Sequence, residues 1–397
     1  MSDLVNKSFE IDIKTKIKFG LNLRFEIGKI LKNKNYKKVL ICTDKNIVKL
    51  KYINEIFNSI SDEKIYYKIY DGVEVNPTIT TIVDAYNKFK KDSFNCIIGI
   101  GGGGPIDVAK GISIALTHKG NIRDYIAEVN GQKKPILDIV LPVIAIPTTA
   151  GSGAEVSPVS VIVDEKRKLK IGFFSEYLFP VISLVDPVLY TTLPPKVTAG
   201  CGLDVLSHSF DAFVSPYSNS YSDALAIKSI EMVFNNLKTA VFNGKNLESR
   251  AEMAIASILG LISMYIGKGG STHTIGEPLG GLYNISHGYA CGIAIPAVME
   301  FLLPVCRDKF ITIFKNISNF FDPRENNSIV AHECIEEFRK LIIDIKVEKP
   351  LKVVNNPDIE LLSEYSIKHL AVNRIPGVAT KSDFVNLYKK IFNKNYF

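Results

Sequence analysis

Short β-branched apolar runs alternate with segments of helical period through the first half of the chain. Strands are predicted at Lys38–Thr43, Ile65–Tyr70, Asn95–Ile100 and Ile139–Ile146, the first of them buried, and an early hairpin or edge strand at Phe9–Lys18. Helices are predicted between them, at 46–59, 78–90 and 106–117. This alternation is typical of βαβ units, so the first half predicts an α/β fold with a parallel sheet.

The pattern changes after about Asp186. From Val197 onward the apolar positions follow the helical period, and strand-like runs nearly vanish. The predicted helices are 200–214, 219–240, 247–265, 290–303, 308–318, 328–344 and 381–392. We therefore predict two domains, an α/β domain at 1–187 and an all-α domain at 188–397.

Composition excludes several classes of function. The chain has 397 residues and a net charge of +7, but no basic block interleaves with aromatic residues, which argues against nucleic-acid binding. Six scattered cysteines without a CxxC pair indicate reduced thiols and a cytoplasmic protein. The N-terminus has no apolar signal region, and the longest apolar run, Ile139–Pro147, is too short to span a bilayer. No membrane partner is expected.

Four consecutive glycines, Gly101, Gly102, Gly103 and Gly104, follow the third predicted strand, and Pro105 stands where a helix would begin. Without Cβ atoms such a loop can press against a phosphate, and the following helix N-terminus offers free N–H groups. The segment lacks the acidic residue expected about twenty positions later in the ordinary dinucleotide motif. A diphosphate nucleotide is the favoured ligand, and a turn without a ligand is the alternative.

Two further features sit near strand ends. Asp44 follows the first predicted strand, where its carboxylate could accept hydrogen bonds from an adenosine ribose and exclude a 2′-phosphate. Residues 147–153 form a second loop rich in glycine and hydroxyl groups at the carboxyl end of a strand, the edge where open α/β sheets bind ligands.

A metal centre is predicted in the second half. Asp204 and His208 are four residues apart, so on a helix they share one face. The chain has only six histidines, and His273 and His287 lie in glycine-rich surroundings fourteen residues apart. One carboxylate and three imidazoles suit iron, zinc, nickel or copper. Three unrelated structural histidines are the alternative.

Six ordered segments resemble the iron-containing (group III) alcohol dehydrogenase family. They are GGGGPIDVAKG (101–111), PTTAGSGAEVSP (147–158), LVDPVLYTTLPP (184–195), AGCGLDVLSHSFDAFVS (199–215), HTIGEPLGGLYNISHG (273–288) and AIP (294–296). The resemblance implies a dehydroquinate-synthase-like fold and an NAD(P)-dependent, metal-dependent alcohol dehydrogenase or aldehyde reductase. Its substrate would be a small primary alcohol or diol, and the protein would form a homo-oligomer, a dimer or larger.

The resemblance also assigns roles to residues. It places the metal ligands on Asp204, His208, His273 and His287, with Fe²⁺ usual and Zn²⁺, Mn²⁺ or Ni²⁺ possible. It makes Gly101–Gly104 the pyrophosphate loop. Cofactor contacts would also come from Asp44, Asp107, Thr148, Thr149, Ser152 and Lys170. Asp44 goes with NAD rather than NADP in the family.

Two positions depart from the family pattern. Glu277 stands where a second histidine is common, and Gly104 where serine is usual. Glu277 would share a helical face with His273 and act in a proton relay, bind a hydroxyl or cationic group of the substrate, or ligate the metal; an ordinary exposed glutamate is the alternative. His118, His332 and His369 are predicted to be surface or structural residues.

Other functions on the same fold stay open at this point. A cyclase like dehydroquinate synthase or a glycerol-1-phosphate dehydrogenase would bind the phosphate group of its substrate through lysine or arginine. Segments 199–215 and 273–288 contain neither residue type, which argues against both. A non-catalytic nucleotide or metal sensor is the remaining alternative.

Overall fold

The structure is a computed structural model that describes residues 8–127, 133–167, 169–318, 322 and 326–396. The described chain divides into two compact units. The sheet unit comprises 12–149 and 153–192, and the helical unit comprises 8–11, 150–152 and 193–396. The sequence-based domain limits 1–187 and 188–397 stay a prediction.

The sheet unit is built on a six-stranded parallel sheet with strand order β1-β8-β5-β4-β2-β3. Strands β6 and β7 pair separately as an antiparallel hairpin. The strands are β1 (Lys16–Phe19), β2 (Lys38–Cys42), β3 (Tyr66–Tyr70), β4 (Cys96–Gly101), β5 (Val143–Pro147), β6 (Val159–Asp164), β7 (Leu169–Phe174) and β8 (Ile182–Val185). The helices are α1 (Ile27–Asn33), α2 (Lys51–Asp62), α3 (Ile79–Phe89) and α4 (Gly103–Thr117).

Alternating side chains of the strands enter two separate cores. Val39 and Ile41 of β2 pack in one core with apolar residues of α1 and α2, whereas Leu40 and Cys42 pack in the other with residues of α3 and α4. Successive strand residues point to opposite faces of the sheet, so an apolar run such as Val39–Cys42 contributes side chains to both cores. Helices therefore cover both faces, as a parallel sheet requires. The predicted α/β fold class is confirmed.

The observed strands differ from the predicted strands in two respects. Of the two alternatives for Phe9–Lys18, the hairpin is wrong and the edge strand is confirmed in part, because β1 begins at Lys16, lies at the edge of the sheet and pairs parallel with β8. The β6–β7 hairpin and β8 are absent from the sequence prediction. The hairpin strands are only partly buried, so their apolar alternation is weak, and β8 has four residues.

The helical unit contains no strand within its described residues. Its helices are α5 (Pro195–Val214), α6 (Ser220–Phe242), α7 (Leu247–Gly267), α8 (His273–Tyr283), α9 (His287–Ile317), α10 (Asn327–Asp344), α11 (Pro350–Val353), α12 (Ile359–Ile367) and α13 (Lys381–Ile391). The predicted all-α second part of the chain is confirmed.

Helix α9 replaces the two helices predicted at 290–303 and 308–318. It runs unbroken through Pro296 and Pro304, although each proline removes one backbone hydrogen bond. Helices α7 and α9 are long and apolar enough to cross a membrane, but 61% and 67% of their most apolar windows are buried inside the protein. Their hydrophobic character is that of core helices.

Glycines bring three of the helices very close together. A Cβ atom on Gly288 of α9 would lie 2.1 Å from the Gly200 carbonyl oxygen and 2.7 Å from the Asp204 Cβ. A Cβ atom on Gly202 of α5 would lie 2.2 Å from Leu237 of α6. These contacts seat the first turn of α9 directly on α5 beside Asp204.

Candidate metal centre and cofactor loop

Four predicted ligand side chains converge in the helical unit. Asp204 and His208 lie one turn apart on α5, while His273 and His287 are the first residues of α8 and α9. The Asp204 Oδ1 is 3.7 Å from the His287 Nε2 and 3.9 Å from the His208 Nε2. The His273 ring centroid is 5.0 Å from that of His208 and 5.2 Å from that of His287. The structure thus brings all four side chains together, although His208 is not part of the set of ligand atoms that lie within 4.8 Å of one another.

The chemistry of this cluster suits a divalent metal. The His273 Nε2 and the His208 Nδ1 are buried and have no hydrogen-bond partner among the described residues. Burying a nitrogen that has no hydrogen-bond partner costs free energy. A bound cation would remove that cost for whichever nitrogen coordinates it. Burial lowers the pKa of His208 to about 4, despite the opposing charge of Asp204, which keeps this imidazole in the neutral form that binds metals.

Asp211 holds His273 in place, and sequence reasoning did not identify it. Its Oδ2 is 2.8 Å from the His273 Nδ1, and its Oδ1 accepts a hydrogen bond of 2.8 Å from the Thr272 N–H. Burial lowers the pKa of His273, but the Asp211 hydrogen bond and charge outweigh it, so the net shift is upward. The contact orients the Nε2 of His273 as a ligand atom, because the Nδ1 is engaged. Its position three residues after His208 was the available signal.

Cys291 is a further donor that the sequence prediction did not include. It lies one turn after His287 on α9, and its Sγ is 3.8 Å from the His287 Nδ1 and 4.0 Å from the Nε2. One ligand atom each from Cys291, Asp204, His273 and His287 fall within 4.8 Å of one another. The thiol therefore borders the cluster.

Glu277 is bound to His369. The His369 Nε2 is 2.7 Å from the Glu277 Oε2, and the Glu277 side chain is 27% exposed. Glu277 lies within α8, one turn after His273, as the sequence spacing indicates. Burial raises the pKa of Glu277, but His369, His287 and His273 outweigh this and hold it well below its usual range.

The glycine loop has the predicted strand–loop–helix setting in the sheet unit. Gly101 ends β4 with a φ of 145°, and Gly102 precedes the first residue of α4. A Cβ atom on Gly102 would lie 3.1 Å from the Thr149 Oγ1, and the Thr148 N–H donates to the Gly101 carbonyl at 2.9 Å. The loop thus lies beside Thr148 and Thr149, with the N-terminus of a fifteen-residue helix behind it.

The other predicted cofactor residues have diverse surroundings. The Asp44 Oδ1 accepts hydrogen bonds from the N–H groups of Asn46 and Ile47, at 2.8 and 3.1 Å, and so caps the turn after β2. Ser152 belongs to the helical unit. Lys170 pairs with Val163 in the β6–β7 hairpin.

Asp107 lies within the first turns of α4 and is 8% exposed. Its Oδ1 is 3.8 Å from the Nζ of Lys110, a fully buried lysine that donates to the carbonyls of Ala154, Ser157 and Val159. Burial raises the pKa of Asp107, against the opposing charge of Lys110. The cofactor contacts of Asp44, Asp107, Ser152 and Lys170 stay predictions.

Comparison with known proteins identifies the family. The family described as iron-containing alcohol dehydrogenase matches residues 14–187, and the one described as Fe-containing alcohol dehydrogenase family, C-terminal, matches residues 198–392. Alcohol dehydrogenase 4 of Schizosaccharomyces pombe is 32% identical over 94% of this chain and 86% of its own length. NAD-dependent methanol dehydrogenase of Bacillus methanolicus is 30% identical over 92% and 94%.

A crystal structure of 1,3-propanediol oxidoreductase has the same fold, with a TM-score of 0.91 at 29% identity, covering 97% of this chain and 100% of that one. The family assignment thus agrees with the sequence resemblance along nearly the whole chain. The chain belongs to the iron-containing alcohol dehydrogenase family, and it is an oxidoreductase that acts on alcohols.

Proposed function

We propose that this protein oxidises a small primary alcohol or diol to the aldehyde, and reduces the aldehyde, with NAD as the hydride acceptor. The observation that carries the proposal is the cluster of Asp204, His208, His273 and His287, in which all but the partly exposed His287 are buried. The names of two relatives, a methanol dehydrogenase described as NAD-dependent and a 1,3-propanediol oxidoreductase, support this class of substrate and cofactor.

The four clustered side chains would hold a divalent metal, with Fe²⁺ favoured by the family and Zn²⁺, Mn²⁺ or Ni²⁺ accepted by the same donors. When bound, the metal would supply Lewis-acid polarisation of the substrate oxygen. Asp211 keeps the His273 ring in the orientation that presents its Nε2. Burial of His208 keeps its ring neutral at physiological pH.

The sheet unit would bind the dinucleotide. Gly101–Gly104 would receive the pyrophosphate, because these residues have no side chains of their own and lie at a helix N-terminus. Thr148 and Thr149 lie beside that loop and would line the nicotinamide side. The bound cofactor would accept the hydride released by the alcohol.

The remaining contacts with the cofactor are assigned to charged residues. Asp44 would accept hydrogen bonds from the adenosine ribose and repel a 2′-phosphate, which favours NAD over NADP. Asp107 and Lys170 would contact the cofactor from α4 and the β6–β7 hairpin. A phosphorylated substrate is disfavoured, because segments 199–215 and 273–288 carry no lysine or arginine.

We place the enzyme in the cytoplasm as a homo-oligomer. The six cysteines, all within described residues, form no disulfide, which supports a reducing compartment. Light scattering of the purified protein measures the oligomeric state, and a monomer would contradict that part of the proposal.

The function is tested by following NADH formation with methanol, ethanol, butan-1-ol and 1,3-propanediol, with NADP run in parallel. We expect turnover with NAD on at least one alcohol, and loss of turnover after exhaustive chelation. Adding back Fe²⁺, Zn²⁺, Mn²⁺ or Ni²⁺ singly should restore it unequally. Equal rates with and without chelator would contradict metal dependence, and no turnover of any alcohol after metal loading would contradict the reaction.

Asp211→Asn is expected to weaken metal binding about 10- to 100-fold, the usual effect of removing a carboxylate that orients a metal-binding histidine. The asparagine keeps the size of the side chain but loses its charge and one acceptor for His273. Competition with a chelator of known affinity measures the change. Asp308→Asn, on the exposed face of α9, is the control. Unchanged metal affinity in Asp211→Asn would show that Asp211 has a structural role alone.

A further inference from the structure

The candidate metal centre and its surroundings contain more carboxylate charge than a divalent metal would neutralise. Three carboxylates lie within or beside the four-residue cluster, that of Asp204 within it and those of Asp211 and Glu277 beside it. A bound divalent metal would offset two of these charges. Segments 199–215 and 273–288, which contain all three carboxylates, have no lysine or arginine. The surroundings of the site therefore favour a positively charged ligand over a negatively charged one.

His369 fixes the position of the Glu277 carboxylate. The His369 Nδ1 accepts a hydrogen bond of 3.1 Å from the Ala371 N–H, so in the neutral ring the Nε2 carries the proton. That Nε2 donates to the Glu277 Oε2 at 2.7 Å. The segment after His369 is itself packed, since a Cβ atom on Gly270 would lie 2.4 Å from the Ala371 Cβ. Glu277 is thus held through one oxygen, and a carboxylate has a second oxygen that can accept.

This geometry disfavours two of the three roles considered for Glu277. In a proton relay the imidazole would pass a proton out through Nδ1, but that nitrogen is engaged by the Ala371 N–H. As a metal ligand Glu277 is not needed, because the four-residue cluster already supplies one carboxylate and three imidazoles. Recognition of a substrate group remains, and the 27% exposure of the side chain leaves it within reach of a small molecule.

We propose that Glu277, positioned by His369, binds an ammonium group of the substrate, so that the enzyme prefers small amino alcohols to neutral alcohols of the same size. The inference rests on the proposed alcohol dehydrogenase function. Glu277 lies one helical turn from His273, a separation of about 5–6 Å between Cβ atoms. A chain of a few carbon atoms between hydroxyl and ammonium groups matches that spacing.

The test compares 3-aminopropan-1-ol with butan-1-ol, its neutral isostere. For the wild-type enzyme we expect kcat/KM to be about 10-fold or more higher for the amino alcohol, the effect of one charge-assisted hydrogen bond. Glu277→Gln should lower the ratio of the two kcat/KM values by a similar factor. His332→Gln, which replaces an exposed histidine of α10, should leave the ratio unchanged.

Two further variants test the positioning role of His369. His369→Phe should raise KM for 3-aminopropan-1-ol more than it lowers kcat, whereas His369→Gln, which keeps a donor, should restore part of the loss. Calorimetry with 3-aminopropan-1-ol should show weaker binding to Glu277→Gln than to the wild type.

The outcomes separate the two proposals. Butan-1-ol turnover without any preference for the amino alcohol, or a ratio unaltered in Glu277→Gln, would overturn this inference and leave the proposed function standing. Failure to oxidise any alcohol would overturn both.

Discussion

His273→Ala is expected to lower kcat/KM for alcohol oxidation by about a thousandfold or more. The buried Nε2 of His273 has no hydrogen-bond partner among the described residues and converges with Asp204 and His287, so its loss removes one ligand from the candidate metal centre. Metal polarisation is worth several kcal/mol in a transition state, and about 4 kcal/mol corresponds to a thousandfold in rate. His208→Ala should have a similar effect.

The measurement pairs steady-state kinetics with metal content per chain. We expect both variants to lose metal and turnover together. Their thermal unfolding should remain cooperative, since Asp211 keeps its hydrogen bond from Thr272 when the His273 ring is removed. His332→Ala on α10 is the matched control and should retain metal and activity. Full metal occupancy and wild-type turnover in His273→Ala would refute the assignment of this ligand.

Sequence spacing located the core of this centre because its signals are local. Asp204 and His208 share a helical face by their separation alone, and α5 confirms the helix. His273 and His287 were found because histidines are few, but nothing local indicates that the first turns of α8 and α9 meet α5. The close approach of these helices depends on contacts at glycines, such as Gly288 against Gly200. These are tertiary packing contacts between distant segments of the chain.

The residues that sequence reasoning did not connect act through contacts between distant segments. The spacing of Asp211 from His208 on α5 was a local signal, but only the structure places its carboxylate against His273. His369 is 92 positions from Glu277, and no local pattern relates the two residues. Both contacts are side-chain geometry, which a single sequence does not encode in its periodicity.

The sequence predicts the strands well where most of their residues are buried, and less well where many of their residues are exposed. Strands β2, β4 and β5 are almost wholly buried, and their apolar runs identify them. The β6–β7 hairpin has exposed positions on both strands, so burial marks these strands less clearly. In α9 the prediction of two helices fails, because the helix continues through Pro296 and Pro304 within a largely buried setting.

Gly101→Ala is expected to raise the Kd for NAD by about 10-fold or more. Gly101 has a φ of 145°, a conformation that side chains rarely adopt, and the new Cβ would lie 2.7 Å from the Pro105 Cγ. Strain of this kind costs about 1–3 kcal/mol, and the loop can relieve it only by moving. Because Pro105 lies in the first turn of α4, such a movement would shift the helix N-terminus that we assign to the pyrophosphate.

Gly20→Ala separates backbone strain from an effect on the cofactor loop. Gly20 lies in the same unit with a φ of 156°, and a Cβ atom there would meet nothing within 4 Å. This control should carry a similar backbone cost and leave NAD binding unchanged, whereas Gly101→Ala should lose affinity by fluorescence titration. Equal affinities in the two variants would show that the glycine loop does not bind the cofactor. Weaker binding in Gly101→Ala alone would support the pyrophosphate site, since the two substitutions differ in what the added methyl group meets.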